Sequence, residues 1–115
     1  MKRLILGIVL AVLAQPAFAA SCYVSEFIQA GDAGIQVAKQ PSVDQAAVTV
    51  SGSSAQSAAF QSSTRLIRVN CDVVVSFVVG ANPTATANNA RLPTGVVEYF
   101  QVDGSRHKIA FITNN

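Results

Sequence analysis

The chain has 115 residues, half of them hydrophobic, with eight Lys/Arg against six Asp/Glu. Two of the eight bases, Lys2 and Arg3, belong to a segment that reads as a cleaved leader, so the remaining chain is neutral. A neutral chain gives no support to nucleic-acid binding, which needs a clustered positive footprint, and about 95 residues after the leader allow one domain with a single modest core.

In the leader, Lys2 and Arg3 precede an apolar run from Leu4 to Ala14. Gln15-Pro16 break the run, and Ala17-Phe18-Ala19 supply the small-x-small pattern of signal-peptide cleavage. The run is too short for a bilayer span, which needs about 20 residues. Residues 1–20 are therefore predicted to be a secretory signal peptide, cut after Ala19 or Ala20. Residues 21–115 become a periplasmic or extracellular domain with no stable membrane anchor.

Export decides how the two cysteines, Cys22 and Cys71, are read. In an oxidising compartment such a pair forms a disulfide rather than a metal or redox site. The alternative is lipid attachment at Cys22. Ala19-Ala20-Ser21 lacks the large aliphatic residue of a lipobox, and lipidation would leave Cys71 unpaired.

From residue 20 onward no helical period persists. Short runs rich in Val, Ile, Phe and Thr alternate with Gly, Pro, Asn, Asp and Ser clusters, which predicts an all-β domain. The expected strands are 22–28, 34–38, 46–50, 65–70, 73–79, 96–102 and 108–113, arranged as an antiparallel β-sandwich or jelly-roll-like fold. Alternation places Ile67, Val69 and Cys71 inward and Leu66, Arg68 and Asn70 outward, with Leu66 the exception awaiting a cover. Val73, Val75, Phe77 and Val79 share one face. Val74 and Val78 make the run apolar on both, as in a central or covered strand. Ile67, Val69, Val75, Phe77, Phe100, Ile109 and Phe111 form the expected core.

Three connectors stand out. Asp103-Gly104 is a tight-turn dipeptide, so 96–102 and 108–113 are expected to form a hairpin. Residues 51–64 (SGSSAQSAAFQSST) read as loop or weak edge strand, with Phe60 the only large anchor. Residues 80–95, between Asn82-Pro83 and Pro93-Thr94-Gly95, exceed an ordinary hairpin loop.

Catalytic chemistry is thin. His107 is the only histidine, beside the Asp103-Gly104 turn, and Arg106-His107-Lys108 reads as a solvated turn. No serine lies in a GxSxG elbow, no glycine pattern cradles phosphate, and six scattered acids do not make a metal site. The expectation is a non-enzyme without cofactor. Of the adjacent aromatics, Phe100 suits the core. Tyr99, on the opposite side of its strand, suits either a contact or the rim of its own sheet.

The strand T-R-x-I-R-V, the turn G-A-N-P-T-A-T, the entry N-A-R-L-P-x-G, E-Y-F and the final K-I-A-F-I all lie within residues 64–112. In these words the chain resembles small β-sandwich proteins encoded among the structural genes of tailed phages and prophages. The resemblance implies a virion accessory or decoration role, with other protein subunits as partners and an oligomer as the working form. A signal peptide departs from that pattern, because tailed virions assemble in the cytoplasm. The alternative is an exported binding or adhesion module, such as a surface or pilus-like subunit. Under either reading the 80–95 loop is the expected contact, or else a plain connector. Thr84, Thr86, Asn88, Asn89 and Arg91 offer hydrogen-bonding groups, with Tyr99 expected near its base.

Overall fold

The computed structural model describes residues 19–28 and 40–115. Nearly all of the predicted signal peptide and the whole predicted strand 34–38 lie outside the described residues. The described residues form nine strands and no helix: β1 (Ser21–Phe27), β2 (Val43–Asp44), β3 (Val48–Thr49), β4 (Ala55–Gln56), β5 (Leu66–Cys71), β6 (Val75–Gly80), β7 (Ala90–Leu92), β8 (Glu98–Gln101) and β9 (Lys108–Thr113). They assemble into two antiparallel sheets. One has the order β2-β1-β5-β8, with β3 also paired to β1; the other is β4-β9-β6-β7.

Both sheets contribute to one core. Cys22, Val24, Ile67, Val69 and Cys71 come from the five-stranded sheet; Val75, Phe77, Leu92, Ile109 and Phe111 come from the four-stranded one. Phe77 and Phe100 meet between the sheets with ring centroids 5.1 Å apart. All seven expected core residues belong here, Phe100 and its neighbour Val102 being partly buried against the cluster. The period-two pattern of β5 holds as well. Ile67 and Val69 are fully buried, and Leu66 is buried on the other side, opposite Phe27 in the register.

Cys22 and Cys71 face each other across β1 and β5 and are joined in a disulfide. The bond is buried, consistent with an oxidising environment.

The expected hairpin between 96–102 and 108–113 does not form. β8 pairs with β5, whereas β9 pairs with β6 and β4, so residues 102–107 cross from one sheet to the other. A two-residue Asp-Gly turn cannot make that crossing. Instead Asp103 Oδ1 accepts hydrogen bonds from Ser105 N and Oγ, and Gly104 (φ 73°) and Arg106 (φ 57°) take left-handed conformations. A side chain at Gly104 would collide with the Arg65 guanidinium and the Ser62 carbonyl. Glycine is needed there for space as much as for its torsion.

Residues 51–64 are both loop and strand. Ala55–Gln56 pairs at the edge of β9, Ser57 N and Phe60 N then bond to Ile109 O and His107 O, and Phe60 drops into the core. The segment is latched by Glu26, a buried carboxylate. It accepts from Thr64 Oγ1 (2.6 Å), Gln61 N (2.7 Å) and Gln45 Nε2 (3.1 Å). Three donors meet what an isolated buried charge would otherwise lack.

Candidate functional site

The two sheets have very different outer faces. On β6 and β9, Ser76 and Ala110 point away from the core, yet both are fully buried. The cover is residues 81–89, which run across the sheet as a strap. At the β4 edge Gln56 Nε2 donates to Asn82 Oδ1 (2.9 Å) and Pro83 O (2.7 Å), and Ala85 N donates to Ser54 Oγ (2.8 Å). Over β6, Ala87 O accepts from Asn114 Nδ2 (3.2 Å) and Ser76 Oγ (3.4 Å). Ala81, Ala85 and Ala87 carry only a methyl group, which lets the strap lie flat; Ala85 is 3 % exposed. The apolar two-faced character of 73–79 has its physical cause in this covering.

The residues proposed for contact from sequence divide accordingly. Thr84, Thr86, Asn88 and Arg91 face solvent on or beside the strap. Asn89 is half-buried, and its Oδ1 accepts from Thr86 N (2.6 Å) and Thr86 Oγ1 (3.3 Å), closing the turn. Tyr99 is not at the base of this loop. It lies in the other sheet, on β8 opposite Arg68, with its ring centroid 6.5 Å from that of Phe27. The loop and the tyrosine were linked only by sequence proximity, and the 93–97 crossover separates them between sheets.

On the five-stranded sheet no such strap is seen among the described residues. Alternation and register place Phe27, Leu66 and Gln101 in one row of its outer face. Asp44, Ser25, Arg68 and Tyr99 form the next row, and Tyr23 with Asn70 the third. Tyr23 is 44 % and Tyr99 53 % exposed, while Ser25 beneath them is buried. Hydrogen bonds from Ser25 and Ser42 hold the Asp44 carboxyl below its ordinary range, helped by the Arg68 charge. The Arg68 guanidinium is half-buried, and its enclosed Nε–H has no hydrogen-bond partner among the described residues. Of these residues sequence reasoning had Arg68 and Asn70 outward and Tyr99 as a contact candidate. Tyr23, one step from inward Cys22, was available from the same alternation.

A third feature lies between the sheets at the β8–β9 crossing. A hollow of about 520 Å³ is lined by Arg65, Val79, Gln101, Val102, Asp103 and His107. Its charged groups have local partners. Arg65 Nη1 donates to Ser62 O (2.8 Å) and Thr64 O (3.0 Å), and the Ser105 hydrogen bonds, with a smaller contribution from His107, lower the Asp103 carboxyl pKa. Among the described residues no group of three or more His, Cys, Asp or Glu is placed to hold a metal ion.

Comparison with protein families, curated proteins and solved structures gave no match.

Proposed function

We propose that this chain is an exported, non-enzymatic β-sandwich protein that acts by contact, as a structural accessory (decoration or assembly) protein of the phage or prophage type. The observation that carries a contact role is the asymmetry of the two outer faces. One is closed by the chain's own strap, whereas the other keeps two half-exposed tyrosines around a guanidinium. Exposed aromatic side chains and arginine are the residue types that concentrate at contact surfaces.

The second reading is a periplasmic or extracellular binding or adhesion module. It is favoured by Arg68 and Asn70, which set hydrogen-bonding groups beside the tyrosines on the same face. One experiment separates the two. The full chain is expressed, cells are fractionated, and the exported protein is measured by intact mass, then by sedimentation alone and with virion particles. A chain beginning at Ala20 or Ser21, with its disulfide closed, is expected outside the cytoplasm. Saturable binding to particles supports the accessory role, and an exported monomer with no affinity for particles supports the module. A full-length chain retained in the cytoplasm refutes export.

A further inference from the structure

We infer that the outer face of the five-stranded sheet is a binding site for a neutral polysaccharide, laid across Tyr23, Arg68 and Tyr99. The inference rests on the second reading above, that of an exported binding module.

The placement of the aromatic rings is the first reason. Tyr23 and Tyr99 sit on β1 and β8 with β5 between them, and their registers on β5 differ by two residues. With about 4.8 Å between strands and about 3.4 Å per residue, their backbone positions are roughly 12 Å apart. That is the scale of a short run of linked pyranose rings. A sugar ring presents C–H groups on its faces and hydroxyls around its rim. Tyrosine offers it a flat apolar surface with a hydroxyl at the tip, at low conformational cost.

Between the rings, the sheet supplies what the rim of a sugar requires. Arg68 and Asn70 on β5 bring donors, Asn70 also brings an acceptor, and Asp44 adds acceptors on the same face from the edge strand β2, beyond Tyr23.

Charge then selects the occupant. Asp44 on the edge strand β2 partly offsets Arg68 on β5, so the face as a whole attracts neither polyanions nor polycations strongly. A second copy of this chain fits poorly. Stable protein interfaces deplete charge at their centres, whereas a two-fold axis near β5 would set Arg68 against Arg68.

The test is affinity electrophoresis of the exported, disulfide-closed protein in gels containing hydroxyethyl cellulose, glucomannan or dextran, with polygalacturonate as the anionic comparison. Retardation by at least one neutral polymer is expected, with roughly tenfold weaker binding in the Tyr23→Ala/Tyr99→Ala variant. Arg68→Lys, which keeps the charge and loses the fork, is expected to weaken binding less. Circular dichroism of each variant checks that the fold is retained; Tyr99→Ser alone serves if the double variant does not fold. No retardation by any neutral polymer, retardation by polygalacturonate alone, or equal retardation of the tyrosine variants overturns the assignment. So does a dimer in sedimentation that Tyr99→Ala dissolves, which would give the face to a second copy. Failure in an exported, folded protein removes the glycan alone. A chain that is never exported removes the reading beneath it.

Discussion

The four-stranded sheet covers its outer face with small residues from its own chain, while among the described residues the five-stranded sheet keeps large and charged side chains without such a strap. The difference lies in side-chain size and bonding. Ser76 and Ala110 leave a shallow surface on which Ala85 and Ala87 can lie, and Gln56, Ser54 and Asn114 satisfy the strap's polar groups. Tyr23, Arg68 and Tyr99 stand too tall for a flush cover and carry polar tips that seek other partners. A sheet surface buried by its own chain serves stability. One left open with aromatic and ionic groups is available for contact.

The largest expected effect strikes beneath the open face, where the disulfide ties β1 to β5. Its sequence separation is 49 residues. Closing a loop of that size is worth about 4 kcal/mol on the chain-entropy model. Replacing both Cys22 and Cys71 with alanine should lower unfolding free energy by about that amount in urea titration. A loss below about 1 kcal/mol would mean that strand pairing, not the bond, holds this sheet together.

The strap should respond next. Ala85→Leu places a large side chain where a methyl group is 3 % exposed. Overpacking of this kind costs about 1–3 kcal/mol. Hydrogen exchange should show faster exchange at Ala85 N, whose bond to Ser54 Oγ breaks, with β1 and β5 unaffected. Unchanged stability and exchange would show that the strap is only loosely seated and that the two faces differ less than their burial suggests.

On the open face the same measurement should register little. Tyr23→Ala and Tyr99→Ala remove side chains that are half exposed, so each should shift stability by no more than about 0.5–1 kcal/mol. The Tyr99 change should be the larger, because its ring lies 6.5 Å from Phe27. A loss comparable with that of Ala85→Leu would mark the tyrosines as structural and weaken the contact reading.

What the sequence revealed follows the range over which each signal acts. Alternation in 65–71 identified the buried side of β5 because period two is local and every second residue is large. The cysteine pair was legible because the predicted export leaves few other fates for two thiols. The Asp103-Gly104 signal misled because turn chemistry is local, while the partner of β8 is settled across the core, where Phe100 meets Phe77. The 80–95 segment reads from sequence as a contact loop or plain connector, because its small residues carry no periodic signal of a strap. Small size was the condition for its close packing. Glu26 could not be singled out, since its three donors come from Gln45, Gln61 and Thr64, 19 to 38 positions away. Asp44 lies in a two-residue strand, too short to show any period.

The smallest effect, and the sharpest probe of the open face, is its dependence on acid. The Asp44 carboxyl pKa is lowered from an ordinary value of 3.8 by hydrogen bonds from Ser25 and Ser42, with the Arg68 charge adding to them. A carboxylate whose folded pKa lies below its unfolded one binds protons more readily when the chain unfolds. Its contribution is therefore fully present above the unfolded value and is lost as pH falls through the folded value, below 3.8. Asp103 behaves in the same direction through Ser105, so total acid sensitivity cannot identify Asp44. The difference between wild type and Asp44→Asn can. Thermal midpoints recorded between about pH 6 and pH 2 should converge as acid is added, because the variant has no charge to lose at this position. Because Asp44 is solvent-exposed, the convergence should be slight and should shrink further in high salt. Parallel curves would mean that Ser25, Ser42 and Arg68 do not favour the ionised carboxylate, and the balanced charge across the open face would go with them.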